Sequence, residues 1–239
     1  MGYNLLIIKI HYILHLKPKG DEEKLLLVLG LALSTIAQAQ FFEDFEGESM
    51  PNYETGQWTL DSGDWYVWDN GIGEFKWTTF TGVTDPPMVY GERSAYINRE
   101  NIGIKNTDED WLITPAVRIG PDQWLSFYNR TTISGNQGTY FQVLVSTTSQ
   151  TDIASFVPVA VWTEDELTFV YSLYHQLAVP LYQYNGQTIY VAFVGHYTQP
   201  TVSLSGDRWL IIVKDGFARC AYDGHIRIAC RKLFWPHQN

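Results

Sequence analysis

The sequence predicts an all-β protein, an antiparallel β-sandwich, and three observations carry that prediction. Between residues 40 and 213, short runs rich in Val, Ile, Tyr, Phe and Trp alternate with turn residues. The punctuation is frequent: DSGD at 61–64, DNGIG at 69–73, DPP at 85–87, SGNQG at 134–138 and YNGQ at 184–187. No stretch of that span keeps an apolar helical period for three turns. With 45% hydrophobic and 15% aromatic residues in 239, the chain has enough apolar side chain for one large core.

From the N-terminus, residues 1–23 read as an upstream extension. They hold an apolar stretch, Asn4–Leu16, broken by Lys9, His11 and His15, and then KPKGDEE. Residues 24–39 read as a signal peptide: Lys24 precedes the apolar run Leu25–Ile36, and Ala37-Gln38-Ala39 supplies a small-x-small cleavage pattern. The run is shorter than the roughly 20 residues a membrane span needs. The mature chain is therefore expected to begin at Gln40, to carry no membrane span, and to be secreted or held at a bacterial cell surface.

Charge narrows the partners. Residues 40–213 hold 21 Asp and Glu against 7 Lys and Arg, whereas residues 214–239 hold 5 basic against 2 acidic residues. So acidic a body repels phosphate backbones, and nucleic acid is excluded as a partner. Acid-rich loops suit a hard cation such as calcium instead.

The first part of the body is crowded with aromatics: Trp58, Trp65, Tyr66, Trp68, Phe75 and Trp77. Strand alternation puts Trp65 and Val67 on one face and Tyr66 and Trp68 on the other. One pair belongs to the core and the other is free to meet a ligand, so Trp65, Tyr66 and Trp68 are the candidate ligand-binding residues. In TDEDWLITPAV, residues 107–117, Trp111, Ile113 and Val117 are expected to face the core, and Asp108–Asp110 to form a polar approach. Pro115 is expected at an edge or bulge. Strands follow at QWLSFYNR (123–130), TYFQVLVS (139–146), FVYSLYHQLAV (169–179) and GQTIYVAFVGH (186–196). In the last, Ile189, Val191 and Phe193 alternate with Tyr190, Ala192 and Val194, the pattern of a central strand covered on both faces.

Catalytic signatures are absent: there is no G-x-S-x-G, no H-E-x-x-H and no phosphate-binding Gly-rich loop. His175 and His196, the histidines of the body, fall in predicted strands, where packing or surface roles are the ordinary ones. The acidic runs Asp108/Glu109/Asp110 and Glu164/Asp165/Glu166 have the residue type of glycoside hydrolysis but read as solvated loops. The chain is expected not to be an enzyme.

Several blocks, in order, resemble one family. QFFEDFEGESMPNYETGQWTL, DEDWLITPAVRIG, WLSFYNR, YFQVLVSTT and YNGQTIYVAFVGHY are similar to the cleaved-adhesin, or choice-of-anchor J, domain over residues 41–212. The resemblance implies an exported bacterial β-sandwich of jelly-roll type. It also implies calcium sites that tie the first strand to the other end of the fold. Carried over by position, Asp44 and Glu46 match the acids of the first strand and Asp110 the acid before W-L-I-T-P. The implied function is a non-catalytic, calcium-stabilised adhesin module that binds a host or matrix protein or a glycan. The alternatives are a structural subunit of a bacterial surface assembly, or an accessory module of a carbohydrate-active or peptidase system.

The C-terminus departs from the pattern. DRWLII begins the expected closing strand, but Val213 and Lys214 stand where acids are expected. Residues 214–239 form a divergent basic tail holding both cysteines, Cys220 and Cys230. Two readings stand: a true divergent ending with the cysteines bridged, or a sequence out of frame after about Ile212 that lacks the last strand.

Overall fold

The computed structural model describes residues 41–47, 49–81, 92–98, 100–131, 136, 138–167, 173–199 and 217–219. These lie in the compact unit Ala39–Asn239. The expected extension and signal peptide, residues 1–39, lie outside the described residues, as do Cys220 and Cys230.

Among the described residues, twelve strands appear in chain order: β1 (Gln57–Leu60), β2 (Gly63–Asp69), β3 (Thr78–Thr81), β4 (Arg93–Tyr96), β5 (Thr107–Ile113), β6 (Val117–Arg118), β7 (Gln123–Asn129), β8 (Thr139–Ser146), β9 (Val157–Thr163), β10 (His175–Pro180), β11 (Thr188–Thr198) and β12 (Phe217–Arg219). One helical turn, α1 (Glu164–Leu167), and two 3-10 turns, Ile153–Ser155 and Tyr182–Tyr184, join them. The main sheet runs β1-β2-β5-β11-β8-β9, with β6 also on β11; a second sheet runs β10-β7-β12, and β3 pairs with β4. Every pairing is antiparallel. The predicted β-sandwich is the observed class.

Alternation along the strands divides the apolar side chains into two clusters. Trp58, Trp65, Val67, Leu112, Phe141, Val143, Ile189, Val191 and Phe193 meet Leu125, Phe127 and Val179 of the second sheet in the main core. Phe127, Phe141 and Phe193 interlock there with centroid spacings of 5.3–6.3 Å. On the outward face of the main sheet, Trp111, Ile113, Leu144, Ala192 and Val194 form a smaller cluster with Phe156. Strand β11 is thus central and covered on both faces, as its sequence predicts. Trp111 and Ile113 correct the expectation, because they pack in the outward cluster while Leu112 takes the main-core position.

Pro115 lies at a bulge, one of the two expected places, and not at a sheet edge: residues 114–116 stand opposite only residues 190 and 191 of β11. It separates β5 from β6, and both pair with the central strand β11. Proline brings no N–H to a ladder. The gap is closed by Thr114, whose N–H donates to Val191 O at 2.8 Å while its Oγ1 accepts from Val191 N–H at 2.9 Å. In the run Glu164–Asp165–Glu166, Asp165 and Glu166 are solvent-exposed as expected, but the segment is not a loop. It forms α1, and Glu164, 2% exposed, accepts the Thr139 N–H at 2.6 Å. Phe217–Arg219, in the divergent tail, pair with residues 123–125 of β7.

Candidate functional site

The outward face of the main sheet is built by cross-strand register. Tyr66 lies opposite Ile113, which lies opposite Ala192; Trp68 lies opposite Trp111, and Trp111 opposite Val194. One pleat further along, Glu109 lies opposite His196, and His196 opposite Tyr140. Trp68 meets Trp111 edge-on at 5.9 Å, and Trp111 meets Phe156 at 5.6 Å, so a buried aromatic floor supports the partly exposed Tyr66 and Trp68. His196 Nδ1 is 3.1 Å from Glu109 Oε1, and the imidazole packs edge-on against Tyr140 at 6.4 Å. Tyr140 is 47% exposed. Flat rings beside a carboxylate and an imidazole can take apolar ring faces and hydroxyl groups together.

Of the three sequence candidates for a ligand, Tyr66 and Trp68 belong to this face. Trp65 does not: it is 2% exposed in the main core, where it packs on Phe45 at 5.3 Å and donates to Ser62 Oγ at 2.9 Å. Sequence reasoning missed Glu109 and Tyr140 as neighbours of His196, because only the register of β5, β11 and β8 brings them together. The other body histidine, His175, stands on the second sheet opposite Asn129.

The inward side of β5 carries a different chemistry. Asp108 and Asp110 share the strand face of Leu112 by alternation. Both are inside the strand and buried, at 5% and 3% exposure, which corrects the expected solvated approach. Their side chains are hydrogen-bonded to each other, while the Oδ1 of each has no hydrogen-bond partner. Burial pushes the Asp110 carboxyl far above the usual carboxylate range, and the charges of Asp108, Asp69 and Glu100 push it the same way. Burial raises Asp108 too, partly countered by its hydrogen bond with Asp110.

The other two expected calcium ligands, Asp44 and Glu46, accept backbone N–H groups. Asp44 Oδ1 accepts the Glu46 N–H at 3.1 Å. The Glu46 carboxylate accepts the N–H of Glu92 at 3.0 Å and that of Arg93 at 3.2 Å. Among the described residues no group of three or more His, Cys, Asp or Glu is placed to hold a metal. The acid of the first segment with the deepest structural role is Glu43, which the sequence did not single out. It is 4% exposed, and its carboxylate accepts the N–H of Phe45 at 2.7 Å and both the N–H and hydroxyl of Ser62.

No protein-family model matches the chain, and no curated protein matches it. Among solved structures, the K1 cleaved-adhesin domain of Lys-gingipain from Porphyromonas gingivalis W83 is similar at 17% identity and a TM-score of 0.51, over 76% of this chain and 98% of that one. The K3 cleaved-adhesin domain of the same protein aligns at 18% identity and a TM-score of 0.48, over 74% and 95% of the two chains. TmCBM61, solved in complex with β-1,4-galactotriose, aligns at 11% identity and a TM-score of 0.43, over 71% and 94%. The likeness to the K1 domain is one of fold. Among the described residues no helix is long and apolar enough to cross a membrane.

Proposed function

We propose that this chain is an exported, non-catalytic binding module of the adhesin type, acting outside a bacterial cell, and that it takes a glycan on the outward face of its main sheet. The observation that carries the reading is that Tyr66, Trp68 and Tyr140 are solvent-accessible on the same sheet face as the His196–Glu109 pair, with Tyr140 opposite His196 and Trp68 one pleat along. Sugar rings present apolar C–H faces that stack on such aromatics and hydroxyl groups that need a donor–acceptor pair at the rim. The net acidity of the body favours a neutral or cationic glycan over an anionic one. The fold shared with a cleaved-adhesin domain supports the adhesin reading, as do the D-F-E-G and D-W-L-I-T-P blocks.

The test is a panel of immobilised neutral and anionic glycans, followed by titration of the best ligand against Trp68→Ala and His196→Ala. We expect each variant to stay folded and to weaken binding by at least about tenfold, or 1.4 kcal/mol. Unchanged affinity in both would remove the ligand from this face.

A second reading, capture of a protein by strand addition, rests on β9. This edge strand of the main sheet exposes Val157 at 60% and Val161 at 50%. Pro158 within β9 and the register shift at Val143/Leu144 both blunt that edge, so the aromatic face is the favoured site.

A further inference from the structure

We propose that the glycan taken by the outward face carries free amino groups and that Glu109 receives an ammonium group of it; this rests on the glycan reading of that face. The argument starts from charge. The strands β1, β2, β5, β11, β8 and β9 of the main sheet contain no Lys or Arg. Their acids and histidines are Asp64, Asp69, Asp108, Glu109, Asp110 and His196. Alternation sends Asp69, Asp108 and Asp110 inward, and it leaves Asp64, Glu109 and His196 on the side of Tyr66 and Trp68. Arg118 of β6 lies opposite Thr188, far along β11 from His196, at about 26 Å by strand rise.

Glu109 is placed to use that charge. Its carboxylate is partly exposed, and His196 Nδ1 stands 3.1 Å from its Oε1. Among the described residues its Oε2 accepts no hydrogen bond. A neutral imidazole donates one N–H and leaves the carboxylate its charge. Aromatic faces flank the acid on both sides. Tyr140 lies beyond His196, and Trp68 is diagonal to Glu109 across the β2–β5 ladder, roughly 7–8 Å away. Aromatic faces attract cations through the ring quadrupole, and a carboxylate between them supplies the opposite charge.

That combination separates sugars by their nitrogen. A hydroxyl, or the N–H of an acetylated amine, satisfies one acceptor and leaves the charge of Glu109 uncompensated. A protonated primary amine brings several donors and the opposite charge together. A carboxylated or sulfated sugar adds repulsion instead. The ring of an amino sugar also keeps an apolar C–H face for Trp68, which a lysine side chain of a peptide lacks.

The test titrates the full chain with a β-1,4-linked glucosamine tetramer, its fully N-acetylated counterpart and tetralysine. The wild type should bind the free-amine tetramer at least about tenfold more tightly than the acetylated one, as a charge-assisted hydrogen bond implies. Added salt should narrow that ratio. E109Q, folded by circular dichroism, should bring the ratio close to unity, whereas W68A should weaken both tetramers alike. Equal binding of the two tetramers by the wild type, a ratio insensitive to salt, or a full preference retained in E109Q would each overturn the proposal. So would tetralysine binding as tightly as the glucosamine tetramer. Unchanged affinities for both tetramers in W68A would instead remove the ligand from this face, and the glycan reading with it.

Discussion

Gly56 has a φ of +77°, and a Cβ there would press into the Tyr66 ring and stand 2.6 Å from Val67 O. Its own carbonyl accepts the Val67 N–H at 2.6 Å, so the turn before β1 is pinned to β2 by backbone contact. Only glycine suits both the left-handed conformation and the space. Gly56→Ala is expected to cost about 2–3 kcal/mol, combining left-handed strain with a clash that backbone cannot relieve cheaply. For a domain of this size that is roughly a 5–10 °C fall in Tm, measurable by thermal unfolding. Phe45 follows the same logic without being glycine. At a φ of +58° it is 0% exposed between Trp58 and Trp65, and Glu43 holds its N–H. The D-F-E-G block was legible as a signature. That its aromatic is a core plug, and that Glu43 just before it is buried more deeply than Asp44 or Glu46, required the packed structure.

At the scale of an element, β5 and β6 show how a strand crosses a proline. The Thr114 hydroxyl accepts from Val191 where the interrupted ladder would leave that N–H unsatisfied. Thr114→Val keeps the shape and removes the acceptor. It is expected to destabilise by about 1–3 kcal/mol, the cost of a buried donor left without a partner. Hydrogen exchange at the Val191 amide should speed up more than at neighbouring β11 amides; equal protection in both proteins would show the hydroxyl to be dispensable. Sequence periodicity found β7, β8 and β11 almost to the residue, since each is a dense run of β-branched and aromatic side chains between turn signals. It misplaced the sides of β5. A strand buried on both faces gives no polar–apolar alternation from which to choose, and two of the residues on its core-facing side are aspartates.

Across the whole molecule, charge and fold work against each other at one place. Burial pushes the Asp108 carboxyl from 3.8 to about 7, and it pushes that of Asp110 higher still. The folded state therefore keeps protons that the unfolded chain releases. That contribution to stability is fully present below about pH 4 and is lost as pH rises through the folded pKa values. The Tm is expected to fall between pH 5 and pH 8, and D108N/D110N should flatten that slope; a wild-type Tm that rises over this window would contradict the burial of the pair. The sequence alone determined the all-β class, the central strand and the acidic body, because these follow from side-chain periodicity and composition along the chain. Tertiary structure decided which of Trp65 and Trp68 is core, that Glu109 meets His196 and Tyr140, and that Asp108 and Asp110 are buried together. Those outcomes depend on register and on which sheet face is covered, and a one-residue change of register reverses every side chain's face.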